Sequence, residues 1–214
     1  MNNGAPGRIP ATERRELMLD AASVVFGERG YAGATTDAIA DAAGVSQAYV
    51  VRTFGSKENL FAETASRAID RIASVFRDTG ARSPASDGEM QAILGRAYVN
   101  LVADRGVLLT TMHLFTLGHH PRFGPLARDG MLGIYRVLRD EVGLTDAQCE
   151  AFLAKGMLIN TVLGLGLPEV VDDNPDARNL MTCIFEDNTS EVLTLTAEQE
   201  PLGPARRNTR RGPS

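Results

Sequence analysis

"TTDAIADAAGVSQAYVV", residues 35–51, contains three residues whose sizes make sense only together. Ala40 is small where two helices would cross, and Gly44 accepts the left-handed conformation of a tight turn. Val50 then has the bulk to plug the space between the helices. A generic helical hairpin imitates any one of these features, but the spacing of positions 40, 44 and 50 is that of a helix-turn-helix. The stretch therefore predicts a short helix over about 36–42, with Thr35 as its N-cap. A second helix is predicted over 46–53, entered through Gly44.

The second helix has two kinds of surface. At 3.6 residues per turn, Val50, Phe54 and Val51 share one side, which is expected to be buried. Tyr49, Arg52 and Thr53 take the opposite side, with Ala48 on their border, where it leaves room for close approach. Gln47 falls above the buried side but sits in the first turn, where it can project past the core edge. A guanidinium, a phenol and a hydroxyl on one outward face suit base edges and phosphates. A merely solvated face is the competing reading.

Working outward, Leu17, Ala21, Val24, Val25 and Phe26 form an apolar stripe on a helix that ends at Gly30 within "ERGYAG". Ser56, with Glu58 and Asn59, opens a longer helix whose apolar face includes Leu60, Phe61, Ala65, Ile69 and Ile72. The break "TGARSPASDG" (79–88) marks a domain boundary. Five helical segments follow, over about 88–104, 107–118, 122–142, 146–166 and 176–194. Pro121, Gly143, Pro168 and Pro175 separate the later ones. The fold class is all-α, with no strand-like alternation and no repeat. The expected organisation is a flexible arm (1–10), a three-helix helix-turn-helix domain (11–58), a connecting helix (56–78), a helical domain (79–194) and a disordered basic tail (195–214).

The chain has 214 residues and a net charge of −5, so bulk charge announces neither nucleic acid nor membrane. Residues 11–60 hold five basic and seven acidic side chains, an acidic balance for a DNA footprint. Cys149 and Cys183 sit in apolar helical patterns and read as small core residues of a reducing, cytoplasmic protein. No run long enough to span a membrane occurs. His119 and His120 in "GHHPRFGPL" lack the accompanying ligands of a metal centre, and no metal, cofactor or catalytic constellation is expected.

Residues 14–62, "RRELMLDAASVVFGERGYAGATTDAIADAAGVSQAYVVRTFGSKENLFA", resemble the DNA-binding region of the TetR family of transcriptional regulators. The matching elements are "LDAA…FGERGY", "TT..IA..AGVS" and "F.SKE.LF", in order and at the family spacing. The resemblance implies that Thr35 or Thr36 caps the first motif helix and contacts phosphate. It places Ser46, Gln47, Ala48 and Tyr49 in the major groove, and Lys57 on the DNA backbone at the start of the next helix. The family often has glycine where this chain has Ala48, tyrosine where it has Val51, and an aromatic residue or histidine where it has Thr53. Arg52 is the natural replacement on angular grounds.

The same resemblance implies a homodimer and a helical ligand-binding and dimerisation domain. Leu158, Thr161, Val162, Leu165, Ala177, Leu180, Met181, Ile184 and Phe185 are the interface candidates, and each could instead be core. Tyr98, Met112, His113, Phe115, Leu117, Phe123, Tyr135 and Phe152 are the candidates for a cavity holding a largely apolar small molecule. His113, a polar ring in "LLTTMHLFTL", needs a partner, either a ligand or the core. The expectation is a non-enzymatic repressor that binds a double-stranded operator and is released by its effector. The alternative is a helical small-molecule-binding protein with a degenerate motif, motivated by the missing aromatics and the negative charge.

Overall fold

The computed structural model describes residues 10–82 and 87–197. The expected N-terminal arm up to residue 9 and the tail from residue 198 onward lie outside the described residues. Among the described residues the chain is helical throughout and contains no strand. The helices are α1 (Ala11–Gly33), α2 (Thr36–Ala43), α3 (Gln47–Phe54), α4 (Lys57–Arg82), α5 (Asp87–Val102), α6 (Arg105–Thr116), α7 (Phe123–Arg136), α8 (Asp146–Gly164), α9 (Pro175–Phe185) and α10 (Thr189–Ala197).

Several boundaries differ from the sequence expectation. The helix expected to end at Gly30 runs on to Gly33, with Gly30 at a φ of 64° inside it, and the connecting helix expected to end at 78 continues to Arg82, into the expected break. The segment expected at 176–194 is two helices, because Glu186 takes a positive φ of 50° and interrupts the ladder. Residues 195–197, expected in the tail, complete α10. The buried stripe of α1 also differs. Met18, Leu19, Ala22, Val25 and Phe26 are buried, whereas Leu17 is 45% exposed. Two adjacent apolar stripes run down this helix, and only packing against α2, α4 and α6 decides between them.

Small residues let α1 lie close along α6. A Cβ on Gly27 would stand 3.3 Å from Leu109 Cβ, and one on Gly106 would stand 2.8 Å from Ser23 Oγ. Asp104 caps α6 by accepting from the N–H groups of Gly106 and Val107. Thr110 donates to Ser23 O at 3.1 Å across the crossing, and His113 Nε2 lies 3.1 Å from Gly27 O.

α4 is the central strut, touching α1, α5, α6 and α7. Phe61 on α4 meets Phe26 of α1 edge-on at 5.0 Å between ring centres, and Phe123 of α7 at 4.8 Å. All three rings are fully buried. Each such side chain contributes about 1.5–3 kcal/mol through burial, and the edge-to-face contacts add about 0.5–1.5 kcal/mol apiece. The N-terminal helices are thereby fixed to the larger helical body through one aromatic cluster.

The turn between α2 and α3 depends on Gly44, whose φ is 65° and whose Cβ position is open space. Gly44→Ala should therefore cost only the left-handed backbone penalty, about 1–2 kcal/mol in chemical denaturation. A loss well beyond that would show an unrecognised contact at this turn.

Candidate nucleic-acid interface

α2 and α3 form the expected helix-turn-helix. Thr35 Oγ1 caps α2 by accepting from Ala38 N at 3.1 Å, and Ser46 Oγ caps α3 by accepting from Tyr49 N at 3.3 Å. Val45 N returns to Ala40 O at 3.0 Å and closes the turn. Val50 is fully buried between the helices, with Ala40 2% exposed and Phe54 6% exposed.

The exposed arc of α3 is rotated from the sequence expectation. Val51, expected on the buried side, is 42% exposed. Tyr49 and Thr53, expected to face outward, are half-buried. An eight-residue helix packed mainly on α2 and the start of α4, with Arg14 and Arg15 of α1 over its Tyr49 and Phe54 rings, has a narrow buried arc, and Val50 with Phe54 fills it. The outward surface is therefore Gln47, Ala48, Val51 and Arg52, all exposed, with the small Ala48 between the longer side chains. Gln47, ambiguous by angle, is exposed and donates from Nε2 to Thr36 Oγ1 at 3.0 Å, tying the starts of the two helices.

Tyr49 forms the edge of this surface. Arg52 lies over its ring at 4.9 Å and Arg14 of α1 at 5.6 Å. Sequence reading missed Arg14, because nothing local signals that a residue 35 positions away reaches the same ring. Thr53 donates its hydroxyl to Tyr49 O at 2.8 Å, so its proton is already engaged within the helix.

Lys57 has a different occupation from the one expected. Its Nζ donates to Tyr31 O at 2.9 Å and to Ala34 O at 3.2 Å, and lies over the Tyr31 ring at 4.6 Å. The ammonium thus satisfies carbonyls at the end of α1. Several acidic groups are likewise engaged within the chain. Glu63 pairs with Arg15, and Glu16 and Asp20 pair with Arg67. Tyr31 donates to Glu58 at 2.9 Å. α3 itself carries no acidic residue.

In the helical body the structure brings together three of the eight cavity candidates. A cavity of about 360 Å³ opens between α5, α8, α9 and α10, and a smaller one of about 30 Å³ shares part of its wall. Tyr98 and Phe152 line both, and Phe115 lines the smaller one. The other five lie elsewhere. Phe123 belongs to the aromatic cluster, His113 faces Gly27 O, and Met112 packs its sulfur against Gly164. Tyr135 donates to Asp146 at 2.7 Å on the surface, and Leu117 ends α6 against the core. An apolar helical stripe does not reveal which neighbour it meets. Sequence reading also passed over Thr111 and Asn160, buried polar side chains that line the smaller cavity. Their position within apolar runs was the available signal.

The interface candidates divide. Leu158 (44%), Leu165 (70%) and Leu180 (42%) are exposed, as is Thr161, whereas Val162, Ala177, Met181, Ile184 and Phe185 are buried within the chain. Cys149 is buried as expected, but Cys183 is exposed on α9, because the buried side of that helix belongs to Met181, Ile184 and Phe185. His120 stacks on Phe123 at 4.4 Å. Among the described residues no group of His, Cys, Asp and Glu could hold a metal ion, and no helix is long and apolar enough to cross a membrane.

A buried plug, a left-handed glycine turn and a projecting second helix define a helix-turn-helix of the kind carried by DNA-binding regulators. Residues 18–64 match the model described as bacterial regulatory proteins, tetR family. It is 43% identical over 75 residues to the HTH-type transcriptional activator FasR of Mycolicibacterium smegmatis, covering 35% of this chain and 34% of the relative. It is 38% identical over 76 residues to the HTH-type transcriptional repressor AcnR of Corynebacterium glutamicum, covering 36% of this chain and 40% of the relative. These matches thus span well under half of either relative. The fold is similar to a TetR-like transcriptional regulator from Rhodococcus sp. RHA1, with a TM-score of 0.57 at 21% identity, covering 89% of this chain and 97% of the other. It is similar also to the fatty acid degradation regulator FadR of Bacillus halodurans, with a TM-score of 0.57 at 18% identity, covering 87% and 100%.

Lys57→Ala separates the two occupations of this residue. As a cap on α1 it should stabilise the fold by about 1.5–3 kcal/mol, so the variant should melt earlier and leave the salt dependence of DNA binding unchanged. A salt slope reduced by about one per subunit, with no loss of stability, would instead make it a phosphate contact.

Proposed function

We propose that this protein is a homodimeric DNA-binding transcriptional regulator, acting as a repressor released from its operator by a largely apolar small molecule. The observation that carries the reading is the exposed arc of α3. Gln47 and Arg52 offer hydrogen bonds to base edges, and Val51 offers the apolar contact that a thymine methyl takes. Ala48 between them keeps the helix low enough to enter the major groove. Thr35, Thr36 and Ser46, at the starts of α2 and α3, are suited to phosphate oxygens, while Tyr49 and Thr53 border the groove.

One such helix rarely supplies enough affinity, and two related by a two-fold axis would sit about 34–36 Å apart on successive turns of B-DNA. Leu158, Thr161 and Leu165 on α8 and Leu180 on α9 form the exposed face on which a second copy would pack. Val162, Ala177, Met181, Ile184 and Phe185 support that face from within.

The position of α6 supports a ligand response. Its Thr111 lines the smaller cavity, while Thr110 and His113 hold carbonyls of α1. An occupant that displaces α6 therefore displaces α1, on which α2 and α3 rest. Its effect on operator affinity equals its differential affinity for the two arrangements.

A second reading, a small-molecule-binding protein that no longer reads DNA, is favoured by the engagement of Lys57 with α1 and of Thr53 with its own helix. A mobility-shift assay on the DNA upstream of the protein's own gene distinguishes the two. A salt-sensitive specific complex is expected, and its absence favours the second reading. Arg52→Ala should weaken that complex by about 1–3 kcal/mol and relax selectivity; unchanged affinity and selectivity would remove Arg52 from the interface. Leu158→Glu combined with Leu180→Glu should yield monomers in sedimentation and lower operator affinity at least about tenfold. A dimer persisting in that variant would place the interface elsewhere.

A further inference from the structure

The smaller cavity contains a polar end built into an apolar wall. Thr111 is 3% exposed and its Oγ1 has no hydrogen-bond partner. Asn160, 4% exposed, accepts from the Tyr98 hydroxyl at 2.7 Å through Oδ1, while its Nδ2 meets only the thioether of Met157 at 3.9 Å. Thioether sulfur is a weak acceptor. Burial pushes the Tyr98 phenol up to about 12, so it remains a neutral donor to Asn160. Two donors, the Thr111 O–H and the Asn160 N–H, are thus left for an incoming acceptor. The rest of the lining is apolar, including Ile72, Phe76, Phe115 and Ile134, and among the described residues no charged side chain lines this chamber.

Tyr98, Phe152 and Gly156 line both chambers, so the small one adjoins the large one. The large chamber has two cationic and two anionic side chains at its wall, Arg96, Lys155, Glu186 and Glu191, with Lys155 and Glu186 paired at 3.9 Å. These charges balance and offer no net attraction to an ion. A carboxylate set against the buried Thr111 and Asn160 would lack a cation, and an ammonium there would lack a carboxylate, each a severe desolvation cost. At about 30 Å³ the smaller chamber has room for one small polar group.

We infer that the effector is an elongated, uncharged, mainly apolar molecule that ends in a carbonyl or hydroxyl oxygen. That oxygen lies in the smaller chamber and accepts from Thr111 and Asn160, while the apolar body fills the larger chamber. This assignment rests on the reading of the helical body as effector-binding, and it names the chemical class that the site admits.

The test is calorimetric titration of the full-length protein with three probes of equal length: 2-undecanone, undecanoate and undecylammonium. The ketone is expected to bind and to be preferred over both ions. Thr111→Val removes the donor at constant shape and should weaken ketone binding by at least about tenfold, whereas Thr111→Ser should stay within about threefold of the parent. The valine variant should melt no earlier than the parent, since it replaces an unpaired buried hydroxyl with a methyl group. An ion binding more tightly than the ketone, undiminished ketone binding by the valine variant, or no binding of any probe would each overturn the assignment. The complex with upstream DNA gives the separate readout. Ketone binding that requires Thr111 but leaves this complex intact supports the site chemistry and defeats the effector role. Release by undecanoate alone defeats the chemistry and leaves the effector role standing.

Discussion

The projecting end of the molecule depends on Val50 filling the gap that Ala40 leaves between α2 and α3. With Val50 fully buried and Gly44 turning the chain at positive φ, the rotation of α3 about its own axis is fixed. That rotation decides which side chains reach outward. It sets Ala48 at the centre of the exposed arc, Gln47 and Val51 on one shoulder and Arg52 on the other. A larger residue at 40 or a smaller one at 50 would change no outward side chain, yet it would loosen the relation between α3 and the rest of the domain.

The helix-turn-helix was legible because its determinants are local and steric. Ala40, Gly44 and Val50 lie within eleven residues, and the caps at Thr35 and Ser46 follow from hydroxyls next to helical runs. The rotation of α3 was less legible. An ideal helical projection assumes a neighbour on one whole side, whereas α3 has neighbours only along a narrow strip, so Val51 emerged and Tyr49 was drawn in. Lys57 shows the same limit. Its place in the sequence is that of a residue at a helix start, but the carbonyls of Tyr31 and Ala34 arrive from another helix and engage it.

In the helical body the sequence revealed the helices and their apolar stripes but not their pairing. Phe123 and Phe152 look alike in sequence, yet one seals the aromatic cluster and the other lines both chambers. What distinguishes a cavity from a core is a polar group left unsatisfied, and that depends on distances between helices. Asn160 and Thr111 are conspicuous only once the Tyr98 hydroxyl is seen to take Asn160 Oδ1 while nothing takes Thr111 Oγ1.

The two ends of the molecule meet along α1 and α6. Glycine at 27 and 106 lets these helices approach closely, and the same closeness brings Thr110 and His113 within bonding distance of α1 carbonyls. Close packing of this kind is stiff: interiors at crystal-like density transmit a displacement rather than absorb it. The contrast with α3 is instructive. α3 rests mainly on α2 and the start of α4, with two arginines of α1 over its rings, so its position follows from theirs, and α4 is pinned to α1 and α7 by the Phe26–Phe61–Phe123 cluster. A shift of α6 along α1 therefore cannot be taken up locally at α3. It is either resisted by the aromatic cluster or carried as a rigid-body motion of the whole helix-turn-helix, and in a dimer only the second outcome changes the spacing between two reading helices.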